Sequence, residues 1–490
     1  MSRSPLSLTL PDADIPLFLR VADAVVGAIR RRQLQAGQRL PGTRALARSL
    51  GVHRNTVLAA FAELESQGWL RSVPSSGTYV AADVPNLAPP KPLPPPSATA
   101  WSLPEAPGWL PRPSAPPPRG ALVLAGGRPD LATVPTDALA RAWRRGMRRH
   151  AAALLDYGDP RGTEGLRRAL GAWLTQQKGL VVPPERLMVT RGAQMALYLV
   201  SQALLRPGDR VAVESYGYPP AWAALRAAGA TLQPIEVDRE GMDVEALEAA
   251  HAHTPFRAVY LTPHHQFPTM VALSPGRRAR LLSWAAAARV ALIEDDYDHE
   301  FHYAGRPVLP LAAGDEAGVV IYVGTLSKVL APGLRTGFVV APTPLIERLA
   351  ALRSLVDRQG DAPMEQALAE LIEDGELQRH MGRTRRIYLS RRDALARALR
   401  EKLSGVLDFE LPPGGLAIWA RSRVDTLSWA RRGAERGVVF TPGQAYHLLG
   451  TDAEHLRLGY GGLREDQLVE AVERMVGSLP KGALAGQPPP

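Results

Sequence analysis

The chain contains no cysteine among its 490 residues. Disulfides, zinc thiolates and thiol nucleophiles are thereby excluded. Lysine is almost as scarce: Lys+Arg total 58, yet only five are lysines, Lys91, Lys178, Lys328, Lys402 and Lys481. No apolar run is long enough to cross a bilayer, because Arg, Asp or Glu interrupts each one. The start, "MSRSPLSLTLPDADIP", lacks the sustained apolar core of a secretory signal. A cytoplasmic protein with no membrane partner is expected. Hydrophobic content of 46% with 22% charged residues describes globular domains, and 490 residues is enough for two or three. The net charge of +10 permits a polyanionic partner such as nucleic acid.

Against an arginine-dominated background, Lys328 needs a reason. Either cation serves in a salt bridge or on a solvated surface. Only lysine, once desolvated, gives up its proton and becomes a carbonyl nucleophile; arginine stays protonated.

Composition divides the chain into three segments, 1–82, 83–119 and 120–480. The middle one, "VPNLAPPKPLPPPSATAWSLPEAPGWLPRPSAPPP", is too rich in proline for a helix or a central strand and reads as a semi-rigid linker. The closing "GQPPP" reads as a frayed tail. In the first segment Leu17, Val21, Val25 and Ile29 share one helix face. "TRALARSLG" and "HRNTVLAAFAELESQG" are two further helices, each stopped by glycine, and "GWLRSV" and "GTYVAA" form a hairpin through "PSSG". The sum is a mainly α winged helix-turn-helix. In the third segment "RLMVT", "RVAVE", "AVYLTP", "VALIEDD", "VVIYVGT" and "TGFVVAP" alternate with helices, which predicts an α/β domain with a mostly parallel sheet. From about Leu345 long arginine-rich helices and a few strands predict a small α+β subdomain.

"RLPGTRALARSLGVHRNTVLAAFAELESQGWLRSVPSSGTYVA" resembles the GntR family of bacterial winged-helix regulators. Arg54, Asn55 and Thr56 open the third helix, where side chains enter a major groove and backbone N–H groups face phosphate. Arg44 opens the second helix, placed for a phosphate or a guanine. Gly77 is expected to let the wing tip approach the DNA backbone. Gly42 and His53 stand where the family usually has serines.

"YVGTLSKVLAPGLRTGF" resembles the Schiff-base segment of fold-type-I, aspartate-aminotransferase-like proteins that use pyridoxal 5'-phosphate (PLP). The resemblance implies Lys328 as the covalent anchor, with Thr325, Ser327 and Arg335 around the phosphate. "LIEDDYDHEFHY" implies Asp295 on the ring nitrogen and Tyr297 on the cofactor hydroxyl; Asp296 is the rival, and the family spacing favours Asp295. "TRGAQMALYL" places Gly192, Ala193 and Gln194 at a helix start suited to phosphate. "ESYGYPP" supplies Tyr218 as the stacked ring. Tyr157 of "YGDPRGTEGLR" is implied to reach the neighbouring subunit's phosphate, and Arg457 of "HLRLGYGGL" to clamp a substrate carboxylate. There are departures. Phe267 replaces the family asparagine, so the cofactor hydroxyl loses a partner unless His265 or Gln266 substitutes; Met270 replaces a glycine, and Ala417 a frequent histidine. Strand alternation points the carboxylates of "DDYDHEFH" to opposite faces, so no metal site is expected there.

The whole chain thus resembles the MocR-type regulators. That resemblance implies a double-stranded DNA operator, a head-to-tail homodimer, and PLP or an amino compound as effector, sensed through aldimine formation. Steady turnover is not the expected role, although an aminotransferase that represses its own gene is the alternative.

Overall fold

A computed structural model describes residues 8–11, 15–84, 101, 105–110, 116–305 and 308–483. Most of the expected linker and the "GQPPP" end lie outside the described residues. The chain divides into two compact units, Met1–Glu105 and Ala106–Pro490.

In the first unit, α1 (Leu17–Arg30) packs Val21, Val25 and Ala28 into a core shared with Leu46 of α2 (Thr43–Leu50) and Val57, Phe61 and Leu64 of α3 (Arg54–Ser66). Each fully buried Val, Leu or Phe contributes about 1.5–3 kcal/mol, which is what holds so small a unit together. Gly51 ends α2 at φ 66°, a left-handed conformation that turns the chain into α3. Strands β1 (Leu70–Val73) and β2 (Gly77–Val80) pair antiparallel from Leu70↔Val80 to Val73↔Gly77, forming the wing.

The second unit begins with the short β3 (Leu122–Val123). Its main sheet comprises β4 (Leu187–Thr190), β5 (Arg210–Glu214) and β6 (Thr231–Ile235) and, beyond a small hairpin of β7 (Val237–Asp238) and β8 (Gly241–Met242), β9 (Ala258–Leu261), β10 (Ala291–Asp296), β11 (Val320–Thr325) and β12 (Gly337–Val340). The spatial order is β4-β12-β11-β10-β9-β5-β6, and only β12 runs against the rest. Both faces are covered. Met188, Ile321 and Val323 meet Ala196, Val200, Ile346 and Leu349 on one side, while Leu187, Val189 and Tyr322 meet Leu166, Leu170 and Leu368 on the other. All six strands expected from sequence are present. The seventh, β6, carries Pro234, which only an edge strand tolerates.

A second sheet joins β13 (Leu407–Asp408), β14 (Ala417–Ser422), β16 (Thr441–Pro442) and β17 (His455–Gly459) in the order β13-β14-β17-β16. Between them in sequence, β15 (Val438–Val439) pairs in parallel with β3. Ile418, Leu456 and Leu458 bury one face of this sheet against Tyr388, Leu395 and Leu399 of helix Glu376–Leu403. β17 thereby becomes a rigid carrier for Arg457.

Candidate functional site

Parallel strands leave their carboxyl ends open to a crevice, and ligands of α/β proteins bind there. Here that crevice is a cavity of about 390 Å³. Into it turn Ala193 and Gln194 after β4, Tyr218 after β5, Thr262 and Phe267 after β9, Asp295 and Tyr297 at the end of β10, and Thr325, Ser327, Lys328 and Arg335 between β11 and β12.

Lys328 is half-buried, and its Nζ donates to the carbonyl oxygen of Gly127 at 3.2 Å. Burial, and then the nearby Arg457 guanidinium, push its pKa down to about 8. Lys178 behaves in the opposite way. That lysine is only 2% exposed, but its Nζ sits 2.9 Å from Asp296 and 2.8 Å from Glu300, and these anions outweigh burial and hold it protonated. Scarcity of lysine therefore marks one half-buried and one buried site, and of the two only Lys328 releases a proton near neutral pH.

The same ion pair separates Asp295 from Asp296. Adjacent residues of a strand face opposite ways. Asp296 Oδ2 accepts from Lys178 and, at 2.6 Å, from the Tyr322 hydroxyl. Asp295 faces the cavity: its Oδ2 accepts from the Tyr260 hydroxyl at 2.8 Å, while its buried Oδ1 has no partner among the described residues. Burial raises the Asp295 carboxyl to about 7.

Bordering the cavity, α6 (Ala193–Leu204) follows its N-cap Gly192, at φ 78°, with no side chain capping its first N–H groups. (α4 and α5 are Thr136–Leu155 and Glu164–Lys178.) A Cβ on Gly192 would lie 3.1 Å from Arg335 Nη2, so glycine there lets the guanidinium draw close. Arg335 donates to the Arg191 carbonyl oxygen at 3.0 Å. Thr325 Oγ1 lies 3.0 Å from Ser327 Oγ. A helix N-terminus, two hydroxyls and an arginine form an anion cradle of phosphate size.

Phe267 has a structural role of its own: the Arg457 guanidinium carbon lies 4.7 Å from its ring centroid, and Tyr218 meets it edge-on at 5.5 Å. Gln266 is engaged elsewhere, donating to the carbonyls of Tyr216 and Phe267 and accepting from Thr269, while His265 Nδ1 faces Asp298. Neither lines the cavity. Tyr297 lines the cavity, its hydroxyl 3.7 Å from the Met270 sulfur and its ring edge-on to Phe267 at 5.8 Å. Met270 keeps φ at 69°, so the backbone there retains the shape that favours glycine. Ala417 is fully buried in β14.

Arg457 is 1% exposed, and its Nε and Nη1 have no partner among the described residues. Gly127, at φ 53°, lies across it; a Cβ there would stand 3.0 Å from Arg457 Nη2. Sequence reading missed Gly126, Gly127 and Tyr446, which border the site. The paired glycines of "AGGRP" were the available signal. Tyr157 is not gathered into this cavity. It is 74% exposed, with the Arg358 guanidinium carbon 4.2 Å from its ring centroid.

In the first unit Arg44, Arg54 and Asn55 are exposed and Thr56 is half-buried. Arg54 Nε donates to Thr43 Oγ1 at 3.4 Å, tying the start of α3 to that of α2. His53 caps α3 in the manner of the absent serine, its Nδ1 accepting from the Asn55 N–H at 3.2 Å. Gly42 offers no side-chain cap. Gly77 has φ 128°, and a Cβ there would come within 2.7 Å of Arg39 Nε, so the wing glycine also makes room for an arginine that sequence reading overlooked.

Residues 17–80 match the gntR family of bacterial regulatory proteins, and residues 121–475 match aminotransferase class I and II. The probable rhizopine catabolism regulatory protein MocR of Rhizobium meliloti is 31% identical over 95% of this chain and 94% of its own. This chain belongs to the MocR-type regulators of the GntR family. A second member, the pyridoxine biosynthesis transcriptional regulator PdxR of Corynebacterium glutamicum, is 32% identical over 87% of this chain and 94% of its own. The MocR-type PLP domain also superposes on the α-aminoadipate aminotransferase LysN of Thermus thermophilus, with TM-score 0.70 and 30% identity over 75% of this chain and 94% of the enzyme. PLP is the cofactor of such domains, and this cavity fits it. The orphaned Asp295 Oδ1 suits a ring N–H, the cradle at Gly192 suits the phosphate, and Lys328 lines the same cavity. Among the described residues no helix is long and apolar enough to cross a membrane.

Proposed function

We propose that this regulator senses PLP, or an amino compound presented to it, in the cavity around Lys328 and transmits the state of that cavity to its DNA readers. PLP supplies an electrophilic carbonyl carbon and an electron-accepting ring. The protein's own residues do the rest. Lys328 offers an amine that deprotonates near neutral pH. Thr325, Ser327, Arg335 and the backbone N–H groups of Ala193 and Gln194 hold the phosphate, Asp295 accepts from the ring nitrogen, Tyr297 donates to the ring hydroxyl, and Tyr218 covers a ring face.

One observation carries the sensing role. Arg457 is a buried cation without a counter-ion among the described residues, beside Lys328 and under Gly127. An unpaired buried charge is costly, and a ligand carboxylate relieves that cost by a two-pronged hydrogen bond. The carbonyl oxygen of Gly127 now accepts from Lys328, so a ligand that engages either cation changes what holds this glycine segment. Such differential contact is the requirement for a ligand-driven shift between two states. The exposed Tyr157 is suited to reach a neighbour's phosphate in a head-to-tail homodimer, and the pair of readers, Arg44, Arg54, Asn55, Thr56 and the Gly77 wing, to contact two half-sites of an operator in the cytoplasm. Operator binding by the full chain, measured with and without PLP and with a panel of amino acids, tests this; affinity that ignores all of them refutes it.

A second reading keeps a specific observation in its favour. Asp295 and Lys328 line one cavity and Arg457 lies over Phe267 of its wall, which are groups that steady amino-group transfer would use. Multiple turnovers with an amino acid and a keto acid would support that reading.

A further inference from the structure

Beyond the wall of the cavity, two segments of unrelated sequence position bring four imidazoles together. His264 and His265 follow β9, and His299 and His302 follow β10. The His264 ring centroid lies 4.3 Å from that of His265 and 4.1 Å from that of His299. His264 and His265 are 4% and 2% exposed. Neither nitrogen of His264 has a hydrogen-bond partner among the described residues, nor has His265 Nε2 or His302 Nδ1. Leaving a buried donor or acceptor unsatisfied costs about 1–3 kcal/mol, and such atoms on three neighbouring rings point to something that engages one nitrogen of each.

One nitrogen from each of His264, His265 and His302 lies within 4.8 Å of the other two. A tetrahedral ion bound at about 2.0–2.1 Å holds imidazole nitrogens roughly 3.3 Å apart, so the three rings would have to draw together by up to about 1.5 Å on binding. We propose that His264, His265 and His302 form a binding site for a late first-row divalent cation, zinc in the first instance, separate from the PLP cavity.

Two further features fit this assignment. Asp298 Oδ1 lies 2.8 Å from His265 Nδ1, so the carboxylate fixes that ring and leaves Nε2 for the cluster; ligating histidines are held in this way. Gly414 pairs with His302 through an isolated β-bridge, and a Cβ on it would fall 2.5 Å from His265 Nε2, so glycine keeps open the space in front of that nitrogen. The carboxylates of the same run are engaged elsewhere: Asp296 and Glu300 both pair with Lys178. The donor set is three neutral imidazoles, which select zinc, cobalt, nickel or copper over magnesium or calcium. Such an ion would fasten the segment after β9 to the segment after β10.

The test uses untagged, full-length, PLP-loaded protein stripped with a chelator. Zinc titration is expected to show one tight site per chain and a rise in melting temperature. Cobalt in its place is expected to give the intense visible bands of a tetrahedral ion, displaced by zinc. His302→Gln, at a half-buried position, should weaken zinc binding by more than the about 10–100-fold that loss of an outer partner of a ligand costs, while the PLP absorption and the fold persist. His251→Gln, far from the cluster, should leave it unchanged. Equal zinc binding by the wild type and His302→Gln, or only the pale spectrum of octahedral cobalt in both, overturns the assignment. Should His302→Gln fail to fold, the cobalt spectrum of the wild type decides alone.

Discussion

Lys328 Nζ donates to the carbonyl oxygen of Gly127 at 3.2 Å, across 201 positions of sequence. The residue that accepts from the nucleophile is also the one that covers Arg457. Lysine, glycine segment and buried arginine thus form one connected unit, and each part is open to a separate measurement.

Gly127→Ala tests the cover. Alanine there would be strained at φ 53° and would place a methyl 3.0 Å from Arg457 Nη2. The expected outcome is a loss of amino-acid affinity of about tenfold or more, equivalent to about 1.4 kcal/mol, with PLP still bound. Spectral titration of the bound cofactor with amino acids reads both.

The lysines give a pH prediction. Only deprotonated amine is a nucleophile, so covalent capture of PLP by the apo protein should accelerate as pH rises through about 8 and level off above it. Borohydride should then fix the pyridoxyl label on Lys328, and Lys328→Ala should lose the label while keeping the fold. A label on Lys178 is not expected, because its two carboxylate partners keep it protonated.

Asp295 gives a stability prediction of the less common sign. Its carboxyl is raised from 3.8 to about 7 in the fold, so the unfolded chain releases the proton first. The stability tied to the protonated form is complete below about 3.8 and is lost as pH rises through about 7. Apo Asp295→Asn, which still accepts from Tyr260, should therefore melt above the apo wild type at pH 8 and lose that advantage near pH 4, with a ceiling of about 4 kcal/mol. With PLP bound the order should reverse, since asparagine carries no charge for a ring N–H. Paired melting curves at the two pH values check it.

In the DNA reader, Arg54→Ala should cost about 1–3 kcal/mol and relax sequence preference if the arginine reads a guanine. Arg39→Ala, beside the wing, should weaken specific and random DNA alike. Binding isotherms on operator and scrambled DNA over a range of salt distinguish the two effects.

Periodicity made most of the architecture legible. Val21, Val25, Val57 and Phe61 occupy the core their spacing predicts, and the β-branched runs lie in the central sheet. The edge strand β6 was hidden because Thr231, Gln233 and Pro234 break any apolar run. The anion cradle drew mostly on residues close in sequence, Thr325 through Arg335. What sequence could not give were contacts between distant segments. Gly127 over Arg457, Tyr260 on Asp295 and the histidines of two separate loops meet only when the sheet forms. Lys178 shows the limit of reasoning from rarity, since a scarce residue type serves a buried ion pair as readily as a nucleophile.

The most direct test of sensing compares wild type and Arg457→Lys in operator binding at fixed salt, with PLP bound and amino acid added. Lysine keeps the charge but not the two-pronged geometry. The expected result is a wild-type change in DNA affinity that tracks amino-acid occupancy, shifted in Arg457→Lys to about 10–100-fold higher concentration, about 1.5–3 kcal/mol. If PLP alone is the signal, that response should survive Arg457→Lys and vanish in Lys328→Ala. DNA affinity indifferent to PLP and to every amino acid, alongside sustained amino-group transfer in the absence of DNA, would contradict the sensing role.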